Sequence, residues 1–267
     1  ADALDAGTTI GDFDWDALHL DADNWRPQVS VWDIGALEKA APSGITFSGT
    51  VYTNEAKDAN VGSGVTIGLS VQGGAKITTT STSGGAFTFS SVAVAANDTI
   101  LAFVDGHGSY EANLVTQTTD SSTNITGLEM YTSKVVLRHE SAGPMTNTLL
   151  ATADGSADDD IHYTISSGNV SFDTDGYELW IDSSKTYTPG GTVDAHDIEV
   201  NGTFNPEANQ VNISGNWQND SSSTTSGTVV FDGTAAQSII TGGTGATQDF
   251  QNLTISNTSA AVSLSTN

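Results

Sequence analysis

Three features of this 267-residue chain predict an all-β fold in which a compact sandwich precedes a β-solenoid. Short segments alternate apolar and polar residues, the period of a strand with one buried face. The stretches between them are rich in Gly, Ser, Thr and Asn, which favour turns and leave no room for long helices. Toward the end, the segment from His196 to Phe204 is echoed from Asn209 to Trp217 and again from Gln251 to Asn257. Each copy sets Val, Ile, Leu or an aromatic on one strand face. Repeats that bury that face only by stacking on a neighbour define solenoids and arrays. The step from Val200 to Ile213 is far shorter than the step from Ile213 to Ile255, an uneven spacing that suits coils of variable length better than propeller blades.

Three regions follow from this texture. Residues 1–43 hold Trp15, Trp25 and Trp32 among many Asp. Within them Ile10 to Asp16 alternates, placing Asp12, Asp14 and Asp16 on one face and Phe13 and Trp15 on the other. This reads as an extension carrying a donor or docking strand, packed on its own domain or lent to a neighbouring subunit by β-strand addition. Residues 44–120 read as an immunoglobulin-like β-sandwich, with strands at 45–52, 65–71, 86–89 and 99–104 separated by Gly and Asn turns. Residues 121–267 read as the solenoid-like repeat region, with short strands beginning at 133–137, 161–165, 169–172 and 177–181. Its last segment, 261–267, is a strand with no following turn or cap, so either more chain follows or another subunit covers it.

Two family resemblances sharpen these expectations. Gly49-Thr50-Val51-Tyr52, Gly64-Val65-Thr66-Ile67 and the run from Thr79 to Phe89 resemble the prealbumin-like module of carboxypeptidase regulatory domains and of B-type repeats in bacterial collagen adhesins. That resemblance implies a stalk or spacer. Some members carry a Lys–Asn isopeptide crosslink, but no Lys lies near Gly49 to supply one here. Gly215-Asn216-Trp217, the segment from Val229 to Ile239 and Asn252 to Ile255 resemble, in that order, repeats of large prokaryotic surface proteins. This second resemblance implies a right-handed parallel β-helix on an adhesin-like or structural protein.

Composition narrows the function classes. Lys and Arg number 7 against 32 Asp and Glu, a formal net charge of -25 that repels nucleic acid and anionic membranes. The acidity has two readings, solubility or salt adaptation on one side and cation binding on the other. No cysteine is present, which excludes disulfides, thiolate metal sites and cysteine catalysis. No apolar run is long enough for a membrane span, and the sequence does not open on a basic-plus-apolar signal segment; beginning at Ala1 rather than Met, it reads as a mature secreted chain or a piece of a longer one. With only Arg26 and Arg138 as arginines and no nucleophile-elbow, phosphate-loop or zinc-protease motif, catalysis is not expected. A polysaccharide-degrading enzyme is the least favoured reading.

Calcium is the cofactor that the acidic loops suit, because hard cations take carboxylate and carbonyl oxygens. The candidate ligands are Asp154, Asp158 and Asp160 in one loop and Asp173 and Asp175 in the next, neither completing an EF-hand pattern. Solvated turns are the competing reading. Asn-x-Ser/Thr sequons at Asn97, Asn124, Asn169, Asn201, Asn212, Asn219, Asn252 and Asn257 are candidate N-glycosylation acceptors. Ile10, Phe13, Trp15, Val262 and Leu264 are the candidate contacts between subunits. Together these features point to a structural subunit of an extracellular filament, sheath or surface layer whose main partner is itself. An adhesin stalk that meets glycans is the alternative.

Overall fold

A computed structural model of the chain describes residues 44–156, 158–172, 176–241 and 248–266. The expected strand at Ile10, Phe13 and Trp15 lies outside these residues. Seven strands come first: β1 (Ile45–Tyr52), β2 (Thr66–Val71), β3 (Ile77–Thr80), β4 (Ala86–Val92), β5 (Thr99–Val104), β6 (Asn113–Gln117) and β7 (Ile125–Tyr131). Then follow β8 (Lys134–Leu137), a short helix α1 (Asn147–Ala153), β9 (Thr164–Ser166), β10 (Asn169–Ser171), β11 (Glu178–Ile181), β12 (Thr186–Tyr187), β13 (Val193–Ala195) and β14 (Asp197–Val200). The remainder is β15 (Thr203–Glu207), β16 (Val211–Ile213), β17 (Trp217–Asn219), β18 (Ser222–Phe231), β19 (Gln237–Thr241), β20 (Phe250–Ile255) and β21 (Val262–Thr266). No helix among the described residues is long and apolar enough to cross a membrane.

The solenoid has about six turns. In the ten-stranded sheet β8, β11, β14, β17, β19 and β21 stack in parallel, one strand per coil. Each coil then crosses to a second sheet, where β12, β15 and the start of β18 form one ladder and β10, β13, β16 and the end of β18 form another. β20 closes both ladders by pairing along β18. In the first coil Met145 stands in for a strand, bridging to Tyr187.

This arrangement explains the uneven repeat. Ile181 pairs with Val200 and Val200 with Asn219, two coils of equal length. Ile213 pairs with Phe231 and Phe231 with Ile255, and the second of these steps is the longer. Val200 and Ile213 therefore sit on different faces of one coil, whereas Ile213 and Ile255 share a face two coils apart. The echo in the sequence mixes faces with turns because every inward-facing segment obeys the same alternation.

Inward side chains stack from coil to coil. Tyr187 and Phe204 rings lie 5.6 Å apart and nearly parallel, Phe204 meets Trp217 at 6.0 Å, and Trp217 meets Phe250 edge-on at 5.2 Å. Gly202 makes the corner between β14 and β15 possible, since a Cβ there would lie 2.3 Å from the carbonyl oxygens of Asp182 and Lys185 in the coil beneath.

The first seven strands divide into two layers over one core. β4, β1 and β7 form a three-stranded sheet, and β3, β2, β5 and β6 belong to the ten-stranded sheet. β7 falls beyond residue 120, yet it pairs in parallel with β1, so this layer runs to Tyr131. Gly49 lets the two strands close up, since a Cβ there would lie 2.1 Å from the Leu128 carbonyl oxygen. The second layer does not end at β6, because β6 pairs in parallel with β8 and the sheet continues into the solenoid. The described residues accordingly group as one compact unit rather than two.

Alternate residues of the shared sheet feed two cores. Leu101, Phe103, Val115, Val135, Leu137, Leu179 and Ile181 face the solenoid interior. Ile100, Ala102, Val104, Leu114, Val136 and Trp180 face the core of the two-layer region. Helix α1, capped by Thr146 accepting from the Leu149 N–H, adds Leu150 and Ala153 to the solenoid side.

Phe204→Ala removes the middle of the aromatic stack and is expected to destabilise the fold by about 3–5 kcal/mol. Denaturant unfolding followed by intrinsic Trp fluorescence and by far-ultraviolet dichroism checks this. The two signals should move together, because both cores share one sheet.

Candidate functional site

Four large apolar side chains are exposed among the described residues, and all lie on strands with a free edge. Ile77 (45 %) is on β3, one margin of the ten-stranded sheet; Leu264 (73 %) is on β21, the other margin; Leu253 (47 %) and Ile255 (50 %) are on β20. The last three continue columns of the buried interior. Ile198, Trp217, Ile239 and Leu264 succeed one another along one face. Val211, Val229 and Leu253 form a second column, and Ile213, Phe231 and Ile255 a third. Each column is buried until its final member.

At the opposite end the same columns are sealed. β6 pairs along the outer edge of β8, β9 along that of β10, and α1 packs Leu150 and Ala153 into the interior. The open end also has no charge from Phe250 to Thr266 in a chain of net charge -25. Free edges are ordinarily guarded by charged side chains. Of the expected contact residues, Val262 is half-buried against the core and Leu264 is the most exposed. Ile10, Phe13 and Trp15 lie outside the described residues.

A second constellation sits where the two-layer region meets the solenoid, and sequence reading does not find it. Lys134 is buried, with its Nζ 2.7 Å from Glu55 Oε1, paired to Glu178 and 4.8 Å from the Trp180 ring centroid. Glu199, also buried, accepts from Asn201 Nδ2 at 2.8 Å, and carboxylate oxygens of Glu55, Glu178 and Glu199 lie within 4.8 Å of one another. The group borders a cleft of about 540 Å³ lined by Asn54, Tyr131 and Asp197. No local motif announces it, because strand register alone brings Lys134 beside Glu178.

Burial works against the Lys134 charge, yet the flanking Glu178 and Glu55 outweigh it and hold the ammonium above its usual range. Burial raises Glu178 despite Lys134, and burial together with Glu178 pushes Glu199 up to about 7. Crowding beside Glu178 and burial thus let Glu199 hold its proton up toward neutrality. The constellation ties the loop after β1 to β8, β11 and β14.

The expected calcium loop is rearranged. Asp158 and Asp160 come together, but their third carboxylate is Asp105 rather than Asp154. Lys76 Nζ lies 2.8 Å from Asp105 Oδ1 and 2.7 Å from Asp158 Oδ2, so this cluster carries its own cation. Those hydrogen bonds hold Lys76 above its usual range, whereas burial raises Asp154 on its own and raises Asp160 despite the Gly106 N–H it accepts. Asp173 and Asp175 lie outside the described residues.

The sequons differ in access. Asn97, Asn124, Asn169 and Asn252 are exposed, although Asn124 accepts from the Thr46 N–H at 2.8 Å. Asn201, Asn212 and Asn257 are half-buried and donate to Glu199, Asp194 and the Ala235 carbonyl. Asn219 is fully buried, so the folded chain offers no acceptor there. Comparison with protein-family models, curated proteins and solved structures returned no match.

Two outcomes follow from the junction. The folded pKa of Glu199 lies above the ordinary carboxyl value of 4.5, so its contribution to stability is complete below about 4.5 and is lost as pH rises through about 7. Thermal midpoints across that window should fall less steeply for Glu199→Gln than for the parent chain. Lys134→Met strands the carboxylates and is expected to cost about 3–5 kcal/mol, whereas Lys134→Met with Glu178→Leu should recover much of it in denaturant titrations.

Proposed function

We propose that the chain is a structural subunit of an extracellular surface assembly, a filament, sheath or surface layer, built by β-strand exchange or edge pairing between copies. The carrying observation is that Leu253, Ile255 and Leu264, on the uncharged strands β20 and β21, are exposed and covered by no other strand among the described residues. Uncovered edges recruit further strands, because their N–H and C=O groups and apolar faces gain partners on pairing. The large negative charge keeps such assemblies dispersed and confines contact to uncharged surfaces. On this reading cohesion is mechanical, from main-chain hydrogen bonds and buried apolar faces, and catalysis has no part.

The finer fold readings belong to the same proposal. They are a right-handed coil sense and a prealbumin-like arrangement of the two-layer region acting as a spacer. In the strand-exchange form the donor is taken from the sequence reading of residues 10–16, which lie outside the described residues.

Sedimentation velocity and negative-stain electron microscopy of the purified chain should show concentration-dependent self-association into regular particles. Leu264→Asp should shift the distribution to monomer while leaving the thermal midpoint close to the parent's, since the side chain is already exposed. A parent chain that stays monomeric at high concentration overturns the proposal.

A further inference from the structure

The cleft at the junction is bounded on one side by a loop with fixed ends and a weakly tied tip. Residues 53–59 close on themselves, the Thr53 N–H donating to the Ala59 carbonyl at 3.1 Å while Tyr52 bridges to Asn60. Among the described residues, two ion pairs tie the tip to the rest of the chain: Lys57 with Glu129 at 2.6 Å, and Glu55 with Lys134 at 2.7 Å. The first is exposed to solvent, where such pairs contribute little. The second reaches a buried ammonium that Glu55 shares with Glu178. Glu178 and Glu199 stand on the paired strands β11 and β14 and have no room to withdraw, whereas Glu55 is half exposed on a turn. Negative charge added to this group is therefore relieved most easily by the departure of Glu55.

We infer that the loop 53–59 is a pH-operated latch over the cleft, closed by Glu55 on Lys134 while Glu199 is uncharged and released when Glu199 ionises. The two states follow from the charges. With Glu199 protonated, one ammonium faces the carboxylates of Glu55 and Glu178; with Glu199 ionised it faces three, their oxygens within 4.8 Å of one another in a partly desolvated site where like charges repel strongly. Burial and the neighbouring Glu178 push Glu199 up to about 7, so the latch is closed at acid pH and opens as pH rises through neutrality. The other groups around Glu199 do not reverse this sense. Asp197 on the same strand adds negative charge, with His196 at 3.8 Å beside it, and Gln218 in the next coil, in register with Glu199, is uncharged. Across the cleft the Tyr131 hydroxyl donates to Glu129 at 2.9 Å. Release of the tip bares Lys134 and the cleft of about 540 Å³ to solvent.

The chain has no cysteine, so a nitroxide attached to Ala56→Cys, an exposed position at the loop tip, reports on this loop alone. In the whole chain at ambient temperature, electron paramagnetic resonance should show the mobile fraction of the label rising at least about threefold between about pH 5.5 and about pH 8.5, along a one-proton curve. The rise should vanish in Glu199→Gln, which keeps an oxygen for the Asn201 hydrogen bond without the charge. Glu55→Gln should leave the label mobile across the whole range, and a label on Thr126→Cys, exposed on β7, should stay constant. A parent loop that does not loosen with pH overturns the latch, as does one that loosens equally in Glu199→Gln or in step with the label at position 126. If Glu199→Gln lacks the far-ultraviolet dichroism of the parent, Glu55→Gln decides: a label as constrained there as in the parent at acid pH overturns the latch, and one mobile throughout supports it.

Discussion

The structure depends on one sheet being buried on both sides. Antiparallel sheets commonly leave one face to water, and a solenoid needs only an inward face. Here β5, β6, β8 and β11 place alternate residues in two different cores, Phe103, Leu137 and Ile181 toward the coils and Ala102, Val136 and Trp180 toward the two-layer region. Neither core can be removed without exposing the reverse of the sheet that bounds the other. The parallel pairing of β6 with β8 is the join on which this arrangement turns, since it carries hydrogen bonding from an antiparallel arrangement into the coils without a break.

That fusion also covers one edge of the first coil. A stack of coils has two open faces, each with unsatisfied strand edges and apolar columns. At the first coil an insertion covers the open face, with α1 and β9 lying over columns that β6 does not reach. Nothing comparable covers β20 and β21 among the described residues. Among the described residues, Leu253, Ile255 and Leu264 are exposed together on β20 and β21, and Ile77 is exposed on β3.

The charged junction shows the same sheet under a different demand. Where the covering layer stops, Lys134, Glu178 and Glu199 are left half inside it, and Glu55 reaches over to complete the ion pairing. Buried ions of this kind penalise disruption more than they reward formation. They therefore bind the loop after β1 to the coils more tightly than their number suggests. Lys76, between Asp105 and Asp158, ties the turn after β5 to the acidic run after α1 in the same way.

Much of this was legible in the sequence by itself. Strand alternation, turn composition and the echo of 196–204 in 209–217 determined an all-β chain with stacked coils in its later part. These features are local, set by a period of two and by which residues tolerate turns. Only the tertiary structure decided that β7 returns to β1, that one coil runs from Ile181 to Val200 and the next to Asn219 rather than at the spacing of the echo, and that Lys134 meets Glu178 and Glu199. It also replaced Asp154 by Asp105 beside Asp158 and Asp160, and buried Asn219. The reason is common to all of them: pairing partners far apart in the chain are chosen by which surfaces remain to be covered, and alternation alone does not say which strand covers which.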